Sequence, residues 1–545
     1  MPAFFLKAHV YLRALQHAVV IVELDASLTT AYQQKCKALA DRKVRAPLDD
    51  HPHSLELQFP SILREISESA RTGIGSGGVT NNRSNSFDPL WRTRQPPTAS
   101  TASDSDDTSP LFYYVAALPY HVVYCTNKKY NKEDWTGRDA YWTKVADQLV
   151  STSTATSAST STAPHPPTTI NSPNPAVPTA RTIAAAFIRN MGADFVLPAS
   201  HPQLGPSRIH PSSLSYLHRA SFLRTDFDVA GSSPKDVVVP YFLPEDNASG
   251  AVAWPDCASN SVGKSSSSSS SNSARSARDQ TLLFFAGSDN PQDGYRSLFL
   301  RQLRAATGDG DHRGPTIANS PTVLDRDGIY FSLSPLSRRR PVLSFWRSPA
   351  TSAASDHGHR RPSNNNDTIR DSAWYDEKMQ SSKFCLVLRG DTTSSKRFFS
   401  AVAAGCVPVV ISDGLRLPFA DVGIVDYSSF VLFFPESIAS TTTGLRHMLG
   451  VLRTLPSPRY NNMRCALHEA GRYLLYKHRI PLPQREPGGV SISSSLTHGS
   501  LFNPVTLTLI ELLLRREQYC RSAVASFDKG SMCRHLLSRL EKAMA

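Results

Sequence analysis

Residues 383–412 constrain the fold more than any other stretch of this 545-residue chain. KFCLVL (383–388) and VPVVIS (407–412) are apolar at nearly every position. A strand that is apolar on both sides belongs in a parallel sheet covered on two faces, because a sheet with one wet face alternates. Between the two runs stand RGDTTSS, a polar loop, and KRFFSAVAA, which reads as a helix stopped by Gly405. Strand, loop, helix, glycine and strand within about 30 residues make a βαβ crossover.

Weaker forms of the same grammar occur upstream and downstream. TLLFFAG (281–287) reads as a buried strand, and GYRSLFLRQLRAA (294–306) as an amphipathic helix with Leu298, Leu303 and Ala306 among its apolar positions. ADFVLPAS (193–200) and KDVVVPYF (235–242) are short apolar runs that end at proline. DAYWTKVADQLV (139–150) sets Tyr141, Val145 and Leu149 at helical spacing, and GLRHMLGVLRTL (444–455) and LTLIELLLRREQ (507–518) are further amphipathic helices. The last is expected to face the core at the end of its domain. HAVVIVELDA (17–26) is too short to span a bilayer and is broken by Glu23 and Asp25.

The chain is too long for one core, so two folded units are expected. Low-complexity segments at 98–110, 151–169, 264–278 and 336–369 lack periodicity and cannot bury enough apolar surface to order themselves. The expected division is a poorly defined region at 1–110, an N-terminal domain at 111–256 with an insertion at 151–180, and a serine-rich linker at 257–278. A C-terminal domain follows at 279–480 with an insertion at 336–369, then a helical region at 481–545.

A net charge of +13 points to acidic partners such as nucleotide phosphates, polyanions or a membrane surface. The arginine clusters at 337–341 and 359–362 lie in serine- and histidine-rich surroundings and read as solvated loop. The eight cysteines form no CxxC pair, which argues against structural zinc. Their even number allows disulfides, whose pairing the sequence leaves open. Sequons at Asn82, Asn247 and Asn366 fit a secretory route and also occur by chance in serine-rich chains.

Parallel sheets bind ligands outside the carboxyl ends of their strands. Here that edge carries Gly390, Ser394, Ser395, Lys396 and Arg397, with Asp413 after the second strand. A cation in the first turn of a helix opposes the macrodipole at a cost of ~0.3–1 kcal/mol. A bound diphosphate reverses that sign, using free backbone N–H groups, hydroxyls and the Arg397 fork. On local grounds alone, two side chains reaching solvent explain the pair equally well. There is no GxxxxGK[ST], so phosphoryl transfer has no motif.

The run SKFCLVLRGDTTSSKRFFSAVAAGCVPVVISDGLRLPF (382–419) closely resembles the exostosin-like glycosyltransferases. The matching positions are Ser382, Lys383, Phe384, Cys385, Leu386, Gly390, Ser395, Arg397, Ala401, Gly405, Cys406, Pro408, Val409, Pro418 and Phe419. Three weaker blocks keep the family's order. They are Gly192, Asp194, Ser200 and His201 in MGADFVLPASHP, the strand KDVVVPYF, and LLFFAG followed by Arg296. Ser400 stands where the family commonly has a carboxylate, and Ala193 and Phe195 replace its arginine and histidine.

The resemblance implies an α/β fold of GT-B architecture, two Rossmann-like domains facing a cleft with the N-terminal one on the acceptor side and the C-terminal one holding the nucleotide-sugar donor, to which the low-complexity segments add long disordered insertions. It implies inverting transfer of a sugar from a nucleotide-sugar, a UDP-sugar by expectation, to a glycan or polysaccharide, with neither cofactor nor metal. It also implies a Golgi location, although no anchor is visible, and it admits a related transferase as a hetero-oligomeric partner. Nucleic acid is not expected. Arg397, Lys396, Ser395, Ser394, Gly390, Arg296, Ser400 and Asp413 would hold the donor, and Asp194 and His201 are the candidate bases. Duller roles remain open at this stage: Asp194 as a backbone partner, His201 as a loop residue, and Asp413 as a turn cap. Gly405, Cys406 and Pro408 read as structural, with Cys406 packed as a small hydrophobe and Pro408 first in its strand or at a bulge. An inactive glycan-binding subunit and a basic nucleic-acid binder are the competing functions.

Overall fold

The structure, a computed structural model, describes scattered residues of 10–63 and then residues 110–117, 119, 136–151, 185–187, 192–201, 204, 217, 219–226, 235–243, 257, 281–288, 294–308, 322–326, 328–334, 372–390, 392–476, 503–522 and 531–544. The low-complexity insertions fall almost wholly outside these residues, as do the sequons at Asn82, Asn247 and Asn366.

Two sheets form the framework. The first contains β1 (Val19–Val22), β2 (Phe112–Val115), β3 (Phe195–Pro198), β4 (Ser221–Arg224) and β5 (Val237–Val238), all parallel and in chain order. Its edge strand β1 is the run whose length and charges ruled out a membrane span. Helix α1 (Thr136–Ser151) buries Tyr141, Trp142, Val145 and Leu149 against Val115, Leu197 and Phe222, as its helical spacing predicts. No helix among the described residues is long and apolar enough to cross a membrane.

The second sheet contains β6 (Thr281–Ser288), β7 (Thr322–Arg326), β8 (Ile329–Ser334), β9 (Ser382–Leu388), β10 (Val407–Ile411) and β11 (Leu432–Phe433), in the spatial order β11-β10-β9-β6-β8-β7. Only β7 runs antiparallel, as a hairpin with β8. Helix α2 (Tyr295–Ala306) follows β6 and buries Tyr295, Phe299, Leu300 and Leu303, while Leu298 and Ala306 are only half-buried. Helix α3 (Ser372–Gln380) precedes β9, and α4 (Lys396–Ala403) crosses from β9 to β10.

Alternate residues of one strand enter different cores. Phe384 and Leu386 join α2 and α5 (Thr442–Thr454) on one face. Cys385 packs with Met379 of α3 and Ala401 of α4, and Val387 with Phe398 of α4. This is the doubly covered sheet that the unbroken apolar runs require. Together the two sheets and their helices make an α/β fold consistent with GT-B architecture.

Three disulfides are described: Cys257–Cys465, Cys385–Cys406 and Cys520–Cys533. Cys406 is therefore not a free hydrophobe. Its partner lies opposite Pro408 in the β9–β10 register, a juxtaposition that only the folded crossover creates. Pro408 itself is the second residue of β10. β11 begins its pairing opposite Val409, so Pro408 faces a paired strand on the β9 side alone. The Cys385–Cys406 bridge spans 21 residues and encloses the loop and helix between the strands. Replacing both cysteines by alanine should lower stability by ~2–4 kcal/mol. A melting temperature unchanged under non-reducing conditions would show that the bridge adds nothing.

Two further helices, α6 (Ser457–Leu474) and α7 (Pro504–Ser522), close the structure, with α8 (Ser531–Met544) packed on α7. α7 was expected to face one core, yet Val505 to Leu513 are all buried. This stretch is buried on every side, polar Thr506, Thr508 and Glu511 included, and α7 shares one cluster with Phe112, Leu223 and Val237 of the first sheet and Val387, Phe398 and Val410 of the second unit. It thus joins the two sheets.

Candidate functional site

The strand order places a ligand crevice before any side chain is considered. From β6 the chain proceeds through α2 to β8 on one side, whereas from β9 it proceeds through α4 to β10 on the other. The carboxyl ends of β6 and β9 therefore flank a topological switch point, where doubly wound sheets bind ligands.

Three arginines converge there. The Arg397 backbone N–H donates to the Oγ of Ser395, the residue that caps α4, at 3.3 Å. Its guanidinium turns back over β6: Nη2 donates to the Ala286 carbonyl at 2.7 Å, Nε donates to the Tyr375 hydroxyl at 3.3 Å, and the group stacks 4.1 Å from the centre of the Phe285 ring. Nη1 is buried and has no hydrogen-bond partner among the described residues. A side chain at Gly287 would place its Cβ 2.4 Å from Nη2, so glycine is required for this approach.

Arg296 lies on the other side of the crevice, 5.9 Å from the same Phe285 ring, and its Nε donates to the Arg389 carbonyl at 3.1 Å. Gly390 makes room for it, since a Cβ there would meet Arg296 Nη2 at 3.0 Å. Arg389 stacks over Tyr295 at 4.6 Å and lies 3.1 Å from the Glu436 carboxylate. Glu436 and Asp413 are tied reciprocally: the Glu436 N–H donates to Asp413 Oδ1 at 2.8 Å, and the Asp413 N–H donates to Glu436 Oε1 at 3.1 Å. Of the three guanidiniums only that of Arg389 meets a carboxylate, Glu436, while those of Arg397 and Arg296 flank the Phe285 ring, an arrangement suited to an anion.

The other sequence candidates occupy distinct places. Lys396 is half-buried near Asp376 of α3. Burial pushes its pKa down to about 7, against the pull of Asp376. Ser394 is buried and donates to the Thr225 carbonyl of the first sheet at 2.9 Å. Ser400 is buried on α4, one turn beyond Arg397.

On the first sheet the carboxyl edge carries Ser200 and His201 after β3, and Thr225 and Asp226 after β4. Ser200 and Asp226 are buried, and the Ser200 hydroxyl donates to the buried Glu56 carboxylate at 3.4 Å. Asp194 lies at the opposite, amino edge of β3, where it pairs with Arg516 of α7 at 3.5 Å. The structure therefore brings His201, but not Asp194, to the edge where Ser394 meets the first sheet.

Glu436, Tyr375, Glu56 and Asp226 belong to these edges and escaped the sequence reading, whereas Arg389 was placed at the edge as the first residue of the loop without a binding role. Arg389 carried a usable signal as the first polar residue after an apolar strand. Tyr375 had none, because its helix adjoins a low-complexity stretch.

Comparison with known proteins agrees with this geometry. The Exostosin GT47 domain matches residues 149–443, just over half of the chain. The chain belongs to the Exostosin GT47 family. A "Probable arabinosyltransferase" of Arabidopsis thaliana is 35% identical over 117 residues, covering 19% of this chain and 25% of that protein. An exostosin-1 homolog of Caenorhabditis elegans is 45% identical over 62 residues, covering 11% and 16%. A "Probable glycosyltransferase" of Arabidopsis thaliana is 27% identical over 163 residues, covering 28% and 31%. The matched stretches thus span a third or less of each of these relatives.

Proposed function

We propose that this chain transfers a sugar from a UDP-sugar to a glycan or polysaccharide acceptor, with inversion at the anomeric carbon. The observation that carries the proposal is Arg397 Nη1, buried and unpartnered at a switch point while the rest of its guanidinium is pinned. A leaving diphosphate would supply the missing acceptor.

In the reaction, a base takes the acceptor hydroxyl proton and the oxygen forms a bond to the anomeric carbon. The bond from that carbon to the diphosphate breaks, and UDP leaves with the electron pair. Arg397, Arg296 and the N-terminus of α4 counter the charge that develops, which needs no metal. Arginine suits this task because it keeps its charge throughout. His201 is the candidate base at the correct edge of the first sheet. In this reading, Asp413 and Glu436, already tied to each other and to Arg389, would also accept hydrogen bonds from donor hydroxyls, the task for which the family's carboxylate is missing at Ser400. The three disulfides support an oxidising compartment such as the Golgi lumen.

A panel of UDP-sugars with oligosaccharide acceptors, read by mass spectrometry, tests the proposal. One donor should be consumed with release of UDP, and an α-linked donor should give a β-linked product by NMR. Binding of UDP-sugars without turnover would instead show a catalytically inactive subunit, and no binding would overturn the reading.

A further inference from the structure

The loop that precedes α4 is not held by its own sheet alone. Ser394 donates to the Thr225 carbonyl beyond β4, and its Oγ lies 3.2 Å from the Tyr241 hydroxyl beyond β5. The Thr225 hydroxyl in turn donates to the Ser200 carbonyl beyond β3. The Tyr241 ring packs 5.7 Å from that of Phe399 on α4. Ser394, Thr225, Ser200 and Tyr241 are all buried. Burial pushes the Tyr241 phenol above its ordinary pKa, and the Asp226 charge pushes it the same way, so the hydroxyl keeps its proton.

A buried hydroxyl stripped of its partner costs more than the bond itself contributes, so this contact resists opening. It acts where precision is needed. Ser394 adjoins Ser395, the cap of α4, and Arg397 follows two residues later with its fork held by the Ala286 carbonyl, the Tyr375 hydroxyl and the Phe285 ring. A shift at Ser394 therefore reaches the guanidinium with little slack to absorb it.

We propose that Tyr241 is a positioning residue for the diphosphate site. It belongs to the acceptor half and fixes the donor loop through Ser394. This inference rests on reading residues 389–397 as the diphosphate loop. It also couples the halves: whatever moves the carboxyl edge of the first sheet is felt at the donor site, and the coupling is reciprocal.

The test uses Tyr241→Phe, Ser394→Ala and the double variant in the full chain, each melted to confirm folding. UDP binding is measured by calorimetry, and amide hydrogen exchange is followed across 389–399. Each single variant should weaken UDP binding ~5-fold and speed exchange at 394–397. The double variant should lose no more than Ser394→Ala alone, since that variant already removes the contact Tyr241 makes with Ser394 along with the bond to Thr225. UDP binding equal to wild type in Tyr241→Phe, or losses that add, would overturn the proposal. If the wild-type chain binds no UDP, the functional reading fails, and hydrogen exchange alone judges the contact. Unchanged exchange in Tyr241→Phe then overturns it.

Discussion

Arg397→Ala should lower transfer by about 10²–10³-fold while the protein stays folded. The side chain binds the protein through the Ala286 carbonyl, the Tyr375 hydroxyl and the Phe285 ring, and its Nη1 has no hydrogen-bond partner among the described residues. Alanine removes both halves of that arrangement. The structural half leaves a carbonyl and a hydroxyl short of a partner, for a loss of ~1–3 kcal/mol, visible as a modest fall in melting temperature. The chemical half leaves the departing diphosphate without its fixed cation. Arg397→Lys separates the two, because an ammonium keeps the charge but cannot stack and reach two anchors as a planar fork does. It should recover little of the lost rate. Turnover by Arg397→Ala equal to wild type would remove the residue from the proposed mechanism.

The crossover from β9 to β10 was legible because its physics is local. Two runs apolar on both faces demand a covered parallel sheet, and Gly405 adopts φ 64°, the left-handed conformation that a helix stop favours. The site was legible only in outline. Lys396 and Arg397 read as one cationic pair, yet consecutive helical residues point about 100° apart. Their partners differ accordingly: Lys396 lies by Asp376, and Arg397 reaches Tyr375 and β6. Tyr375 lies 22 residues from Arg397 and Ala286, next to Phe285, lies 111 residues away, so nothing in the sequence around 397 announces them. The cysteine pairing was hidden for the same reason, since Cys385 and Cys406 meet only once the register is set. α7 was read as a one-sided helix, because its second apolar face has a purpose only when another sheet is present.

Asp194, a candidate base, is paired at the amino edge of β3 with Arg516, and that partner carries the second large effect. Arg516 donates to the Leu111 carbonyl at 2.8 Å and to the Ala193 carbonyl at 2.7 Å, pairs with Asp194, and stacks 4.1 Å from the Phe112 ring. Burial pushes its pKa down to about 10, against the pull of Asp194, so it stays charged at neutral pH. Arg516→Ala would take this cation away from the buried Asp194 carboxylate and leave two carbonyls short of a donor where α7 joins the first sheet, and stability should fall by ~3–5 kcal/mol. Arg516→Met with Asp194→Leu removes both charges and should recover most of that loss, as replacing a whole buried pair often does. Asp194→Asn then decides the residue's role. If Asp194 serves only the clasp, the variant melts at a lower temperature but turns over normally per folded molecule. A loss of turnover without a loss of stability would return Asp194 to the acceptor site and place the base at the amino edge of β3, against the rule that parallel sheets bind ligands at the other end.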